Sequence, residues 1–112
     1  MIGGSGERKT LRLVARYGQA CNLFAGPDLA RKLEILRAHC EAEGRDYDQI
    51  EKTCYLVLDV GEHGERAGPL TEQIAELSKL GFDTVIGSVA HVWTLRPLEV
   101  IGTQVIPAVA SL

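Results

Sequence analysis

The chain begins with MIGGSGERKTLRLVARY, residues 1–17, in which an apolar pair, a glycine-rich stretch and an amphipathic segment follow one another. Met1 and Ile2 predict a very short strand, and residues 7–17 predict a helix that ends at Gly18. Glycines between a strand and a helix let the backbone approach a ligand, and the first helical turn has unpaired N–H donors and a partial positive charge. This segment therefore predicts a phosphate site, with a plain βα turn as the alternative.

Three more strand–helix pairs follow along the chain. Strands are predicted at residues 20–24, 53–60 and 84–87, and helices at residues 29–43, 70–80 and 96–110, with a short helical turn at residues 48–51. In the helix over residues 29–43 the apolar side chains recur at helical spacing, Asp28 is the expected N-cap and Gly44 ends the helix.

This alternation of strands and helices predicts an α/β fold with a parallel sheet and right-handed crossovers. The second, third and fourth strands are nearly all apolar, which is typical of strands covered on both faces. A doubly wound sheet and a segment of a (β/α)8 barrel both satisfy the pattern, and periodicity does not choose between them.

Two other glycine motifs fail in the opening segment. A P-loop needs a glycine immediately before its Lys-Thr pair, but Arg8 stands there. A dinucleotide fingerprint that starts at Gly4 needs its third glycine where Lys9 stands, and an acidic residue where the second strand ends in Phe24. The sequence therefore does not favour a nucleoside triphosphate or a nicotinamide cofactor.

Composition and charge exclude several classes of protein function. The 112 residues predict a single domain over 1–112, and a net charge of -3 offers no basic surface for nucleic acid. No apolar run is long enough to span a membrane. The three cysteines are scattered in apolar patterns and predict buried, reduced thiols and a cytoplasmic protein. The cysteines and histidines have no metal-ligand spacing, so no metal site is expected.

A few side chains outside the glycine stretch could carry chemistry. His39 is expected at the surface or at its boundary and His63 in a solvated loop, whereas His91 follows the fourth strand, where a (β/α)8 barrel places its functional groups. Trp93 is expected to pack under the last helix. At the end of the third strand the sequence has two carboxylates for which a paired role is open, Asp59 and Glu62.

Several segments resemble those of luciferase-like monooxygenases and coenzyme F420-dependent oxidoreductases. They are IGGSGERKTLRLVARY at residues 2–17, ACNLF at 20–24, RAHCEAEGRD at 37–46 and VIP at 105–107. The first two are fairly specific and the later ones generic. The resemblance implies the C-terminal half of a TIM-type (β/α)8 barrel, with four strands and four helices, that binds coenzyme F420 or flavin mononucleotide (FMN). The branch that uses the deazaflavin F420 is the closer match.

The resemblance also implies a set of site residues. The glycine stretch contributes to the site of the cofactor phosphate, and the end of the second strand lies beside the cofactor, whose ring carries the redox chemistry. The residues expected to bind the cofactor are Gly3, Gly4, Ser5, Gly6, Glu7, Arg8, Thr10, Asn22 and Phe24. No catalytic residue is assigned, and the substrate is a small molecule of unidentified structure.

Length is where the chain departs from that family. A whole barrel takes about 250 residues, so catalysis by this chain alone is expected to be incomplete. Four strands do not close a barrel, and the two open edges invite pairing. We therefore expect two copies to associate as a homodimer, either an eight-stranded pseudo-barrel or a swapped dimer, with an open sheet covered by sliding helices as the competing outcome. The alternative functions are a non-catalytic module that binds a phosphate-bearing ligand and a structural remnant that oligomerises.

Overall fold

The computed structural model describes residues 1–112 and contains one four-stranded sheet in the order β1-β2-β3-β4. The strands are β1 (Ile2–Gly3), β2 (Ala20–Phe24), β3 (Glu51–Leu58) and β4 (Thr84–Val89). β1 and β3 both pair with β2 in parallel. The predicted α/β class with parallel β-α repeats is therefore confirmed.

Helices follow each strand. They are α1 (Thr10–Tyr17), α2 (Leu29–Glu43), α3 (Ala67–Leu80), α4 (Arg96–Val100) and α5 (Ile106–Val109), with a 3-10 turn at Tyr47–Gln49. A π-helical turn, Ile101–Val105, joins α4 to α5, so the predicted last helix is one continuous helical stretch. Pro107 explains the π turn, because it lacks the N–H that would bond to the carbonyl four residues earlier.

Most predicted boundaries hold within three residues. β2 and α2 lie where they were predicted, whereas α1 begins at Thr10 instead of residue 7 and α3 begins at Ala67 instead of residue 70. β3 ends at Leu58 instead of residue 60, because the Asp59 carboxylate accepts a hydrogen bond from the amide of Gly61 and turns the chain. Asp28 occupies the N-cap position of α2, but its side chain makes no capping hydrogen bond.

The chain divides into two compact units. Unit 1 comprises Met1–Tyr55 and Phe82–Ile86, and unit 2 comprises Leu56–Gly81 and Gly87–Leu112. In unit 1, α1 and α2 pack on one face of the strands. The buried side chains of this core are Val14, Ala15, Cys21, Leu36, Cys40 and Ile50.

The opposite strand face of unit 1 is not fully covered. Phe24 lies opposite Tyr55 across β2 and β3, and Thr84 bonds to the side chain of Glu51, which places alternate residues of β2, β3 and β4 on one face. On that face Phe24 is 59% exposed and Ile86 is 39% exposed. The expectation that the strands are covered on both faces is therefore wrong for this face, which corresponds to the interior of a barrel.

Unit 2 has its own core, formed by the end of β3, α3 and the C-terminal helical stretch. Its most buried apolar side chains are Leu56, Val60, Ala67, Leu70, Leu77, Pro97, Val100 and Val105. Gly87 in β4 lies so close to β3 that an added Cβ would collide with the carbonyl oxygen of Leu56.

The three cysteines are unpaired and buried, as predicted. Burial raises the pKa of the Cys21, Cys40 and Cys54 thiols, so each stays protonated at neutral pH. None of the helices combines the length and the apolar content that crossing a membrane requires.

Candidate functional site

The glycine loop, residues 4–9, follows β1 and leads into α1. Gly4 has φ +127, a conformation that L side chains rarely adopt, and its amide donates to the carbonyl oxygen of Asn22 at 3.3 Å. The Gly6 carbonyl accepts from the amide of Leu11 at 3.0 Å. A Cβ at Gly6 would lie 2.8 Å from Oγ1 of Thr10, so the loop packs closely against the start of α1.

Side chains of α2 hold the loop from outside. Lys32 Nζ donates to the Ser5 carbonyl oxygen at 2.8 Å, and His39 Nε2 donates to the Glu7 carbonyl oxygen at 2.8 Å. The Glu7 carboxylate accepts from Arg31 at 2.7 Å and lies 3.7 Å from Lys32 Nζ. The loop therefore presents two carbonyls and its one carboxylate to Arg31, Lys32 and His39 of α2.

Several donors of the glycine loop have no acceptor within the protein. The amides of Ser5 and Gly6 make no hydrogen bond, and neither does the hydroxyl of Thr10. Arg8 and Lys9 take part in no ion pair. Together these groups form a donor-rich, positively charged region at the first turn of α1, which is the chemistry that an anion requires.

The basic side chains continue along α1. A shallow depression of about 290 Å³ is lined by Arg8, Lys9, Arg12, Leu13 and Arg16. Arg12 and Arg16 are partly neutralised by Glu43, at 3.3 and 3.8 Å. Arg8 and Lys9 thus carry the uncompensated charge, at the end of the depression that adjoins the glycine loop.

Asn22 lies beside the loop, in register with Gly3, and pairs with a buried hydroxyl. Thr53 Oγ1 lies 2.7 Å from Oδ1 of Asn22 and 2.8 Å from the Cys21 carbonyl oxygen. A hydroxyl has one proton, so it donates to Cys21 and accepts from the Asn22 amide once that amide is turned to present its NH₂ group. This network fixes the Asn22 side chain.

Two aromatic side chains follow on the same strand face. The rings of Phe24 and Tyr55 meet edge to face, with centroids 5.7 Å apart. Phe24 ends β2 and keeps most of its ring in solvent, so a planar apolar surface remains beside the Asn22 amide.

The structure thus brings together most of the predicted binding residues in unit 1. Gly3 and Asn22 are in register, and Thr10 packs against Gly4 and Gly6. Glu7 differs, because its carboxylate is paired with α2 and its carbonyl with His39.

Unit 2 contains a second cluster of polar groups, which includes Asp59 and Glu62, the two carboxylates for which the sequence left a paired role open. Asp59 accepts from the Gly61 amide at 2.9 Å and from Arg66 at 2.7 Å, and these donors lower the pKa of its carboxyl group. Glu62 Oε1 lies 4.0 Å from Nδ1 of His91. The two carboxylates therefore have different partners and do not form a pair.

His91 and Trp93 lie in the segment that follows β4. Their rings meet edge to face with centroids 5.1 Å apart. Trp93 is 75% exposed, so the expectation that it packs under the last helix is wrong. Trp93 lies in a turn between β4 and α4, two residues after His91 with its positive φ. The structure contains no group of three or more His, Cys, Asp or Glu side chains that could hold a metal ion.

Parallel β-α units with this strand order define one half of a TIM-type barrel. Among solved structures, the chain is similar to coenzyme F420-dependent tetrahydromethanopterin reductase from Methanopyrus kandleri, with a TM-score of 0.67 and 15% sequence identity. The match covers 94% of this chain and 49% of the reductase chain, so this chain spans about half of that enzyme. At this identity the likeness shows the fold alone.

No protein-family model matches the sequence. No curated protein matches it either.

Proposed function

We propose that this chain is the cofactor-phosphate-binding half of a luciferase-like oxidoreductase and that its cofactor is coenzyme F420. The observation that carries the proposal is the pair of unused amides at Ser5 and Gly6, ahead of α1 and directly after a parallel strand. The similar fold of an F420-dependent reductase and the resemblance of the glycine segment support F420 over FMN.

The phosphate fits the donors of the glycine loop. The Ser5 and Gly6 amides and the Thr10 hydroxyl would donate to its oxygens, and Arg8 and Lys9 would supply positive charge. A carboxylate in this position would repel the phosphate, but Glu7 is neutralised by Arg31 and Lys32. The role of Glu7 is therefore to hold the loop and not to contact the cofactor.

The ring fits the open strand face of unit 1. Gly3 lies in register with Asn22, and nothing lies within 4 Å of the place where a Gly3 Cβ would be. Asn22 would bond to a polar edge of the ring and Phe24 would contact its face. When bound, coenzyme F420 would supply hydride transfer, and the residues of this chain would hold its phosphate and orient its ring.

Gly3 gives a sharp test of this placement. Its φ is not positive and its side-chain direction is open, so Gly3→Ala leaves the fold intact, yet its methyl group would meet a ligand that approaches the backbone. Titration of the protein with coenzyme F420, followed by the cofactor's fluorescence anisotropy, is expected to show saturable binding that Gly3→Ala weakens roughly tenfold.

Gly26→Ala is the matched control, because Gly26 also has open space and lies in a loop, between β2 and α2. It is expected to bind coenzyme F420 as the parent chain does. Absence of saturable F420 binding at high micromolar concentration, or equal affinities in the parent chain and Gly3→Ala, would contradict the proposal. A parallel FMN titration decides between the two cofactors.

A phosphate-binding module without redox chemistry is the second candidate. Two observations favour it. The glycine loop offers several unused donors to a phosphate, whereas a cofactor ring placed against the exposed Phe24 would remain largely open to solvent in unit 1. In that case inorganic phosphate would displace bound F420 at concentrations close to the F420 dissociation constant, and Gly3→Ala would have no effect.

We also propose that a second copy of this chain covers the open strand face. Phe24 and Ile86 expose apolar surface on one face of unit 1, and burying such side chains yields about 25 cal/mol per Å². Light scattering is expected to give twice the monomer mass at micromolar concentration and the monomer mass for Ile86→Asp. A monomeric parent chain would contradict this association. The buried, unpaired thiols support placing the protein in the cytoplasm.

A further inference from the structure

We propose that Glu62, His91 and Trp93 form a second ligand site, within unit 2, which takes a neutral planar ring with an N–H or O–H donor at its edge. The site shares no residue with the glycine loop. The two proposals can therefore be tested separately, and the failure of one does not contradict the other.

The backbone of His91 is the first observation. His91 has φ +59 and is the only residue other than glycine with a positive φ. Its carbonyl oxygen accepts from both the amide and the hydroxyl of Thr94 at 3.2 Å, and Ala90 donates to the Leu58 carbonyl at 3.1 Å. The His91 loop, residues 90–95, is thus held in a strained conformation of the kind that concentrates at functional sites.

The imidazole of His91 is the second observation. Its Nδ1 atom is buried and makes no hydrogen bond, whereas Nε2 is neither buried nor bonded to another protein group. We assign the proton to Nδ1, because that is the nitrogen that the Glu62 carboxylate approaches, at 4.0 Å. In that tautomer Nε2 is an acceptor that faces accessible space, so it suits a ligand that donates a hydrogen bond.

The exposed apolar surface beside His91 is the third observation. Trp93 is 75% exposed and packs edge-on to the imidazole, and Val92 and Leu95 are 55% and 73% exposed. Indole offers a large flat surface, and an aromatic ring stacked on it with an offset is favourable. A planar ring that covers Trp93 would also bring its edge near the imidazole.

The local charges decide which kind of ring fits. Asp59 is balanced by Arg66, but Glu62 has no cationic partner apart from a protonated His91. An anionic ring would be repelled by Glu62, and a phosphate has no donor cluster here. These charges disfavour an anionic ring, and a neutral ring with a donor at its edge matches the acceptor nitrogen of His91.

The single tryptophan makes the site directly observable. Lumiflavin is a suitable probe, because it is a neutral planar ring with an N–H donor and has no phosphate. Titration with lumiflavin is expected to quench Trp93 emission in a saturable manner, beyond the collisional quenching of free N-acetyltryptophanamide. Inorganic phosphate is expected to leave this quenching unchanged. Linear quenching equal to that of the free amide would overturn the proposal.

Variants separate the acceptor nitrogen from simple stacking. Asparagine tolerates a positive φ, so His91→Asn keeps the loop and removes the imidazole; it is expected to weaken lumiflavin binding roughly fivefold. His63→Asn, a matched change in another loop of unit 2, is expected to bind as the parent chain does. Equal affinities in His91→Asn and the parent chain would overturn the role of the imidazole.

The role of Glu62 has its own readout. Long-range proton–nitrogen spectra of the histidine side chains are expected to show the Nδ1–H tautomer for His91 in the parent chain. In Glu62→Gln the carboxylate is lost, and the spectrum is expected to shift toward the Nε2–H tautomer with weaker lumiflavin binding. An Nε2–H tautomer in the parent chain would overturn the assignment of Nε2 as the acceptor.

Discussion

The glycine loop after β1 and the His91 loop after β4 begin in the same way, at the end of a strand, but are held by different means. In the glycine loop the unusual backbone conformation falls on Gly4, and the carbonyls of Ser5 and Glu7 accept bonds from α2. In the His91 loop it falls on a histidine, next to a tryptophan in solvent. The glycine loop is held by side chains of α2 and keeps backbone donors unused, whereas the His91 loop exposes its own side chains.

This difference shows what kind of ligand each loop can bind. Unused amides at Ser5 and Gly6 suit an anion of any shape that fits between them. An imidazole and an indole suit a flat ring of particular polarity. Each of the following variants tests one side of the comparison.

The largest effect is expected where β4 supports the His91 loop. In Gly87→Ala the new Cβ would collide with the backbone oxygen of Leu56, which cannot move without breaking the sheet. We expect a loss of about 3 kcal/mol in the free energy of unfolding, measured by urea denaturation. Gly102→Ala is the control, since Gly102 lies in a helical segment with open space and is expected to gain up to about 1 kcal/mol. A Gly87→Ala protein as stable as the parent would contradict this close approach.

The second largest effect is expected when an anchor of the glycine loop, one of the α2 side chains Lys32 and His39 that bond to its carbonyls, is removed. Lys32→Met deletes the donor to the Ser5 carbonyl and a partner of Glu7, and only 16% of the Lys32 side chain is exposed. The expected loss is about 1–2 kcal/mol, with weaker binding of coenzyme F420 because the Ser5 and Gly6 amides are no longer held in place.

The control for this anchor is another lysine in an ion pair. Lys79 pairs with Glu76 at 2.7 Å, but 71% of its side chain is exposed, so Lys79→Met is expected to change stability by less than about 0.5 kcal/mol. Equal losses in the two lysine variants would mean that the anchor at Ser5 contributes no more than a surface ion pair.

The two loops also differ in how well the sequence predicts them. The glycine loop is visible in the sequence because backbone geometry there requires glycine, as at Gly4 and Gly6. Its anchors were not predicted, because Lys32 and His39 lie on a face of α2 that reads as an ordinary solvated helix surface. Which carbonyls they reach depends on how α2 packs in unit 1.

The His91 loop was predicted poorly for a different reason. A left-handed conformation at a non-glycine residue cannot be recognised from composition, so the turn that leaves Trp93 exposed was not predicted. The strand face of unit 1 gave a similar error, because apolar residues line a barrel interior just as they line a covered sheet. The sequence predicted β2 and α2 to the residue, because Gly26 and Pro27 separate the two elements and Asp28 and Gly44 bound the apolar stripe of α2.

A smaller effect, of opposite sign, is expected at His91 itself. His91→Gly removes a side chain from a left-handed position and is expected to stabilise the protein by about 0.5 kcal/mol in urea denaturation, while lumiflavin binding weakens. His63 does not have a positive φ, so the matched change His63→Gly is expected to cost about 0.5 kcal/mol through added freedom of the unfolded chain. Destabilisation by both changes would show that the His91 backbone is not strained.

The smallest effect is expected in the free energy of unfolding at acidic pH. It concerns the loop after β3, which carries Glu62. The Gly61 amide and then Arg66 lower the pKa of Asp59, so its ionised form is favoured in the folded state. This contribution is fully present above the unfolded pKa of 3.8 and is lost as the pH falls through the lower folded pKa. Asp59→Asn should therefore reduce stability at pH 7 and differ less from the parent chain near pH 3.

Glu65 provides the comparison for this pH dependence. Its own backbone amide and that of His63 lower the pKa of Glu65 as well. Glu65→Gln is therefore expected to make the free energy of unfolding depend less on pH in the acidic range, without removing the partner of Arg66. Urea midpoints measured from pH 7 down to pH 3 distinguish the two carboxylates, because only Asp59→Asn leaves a guanidinium without its partner. If the Asp59→Asn difference stays constant over that range, the carboxylate contributes through shape and not through charge. The order of the loop that places Glu62 beside His91 would then not depend on this ionisation.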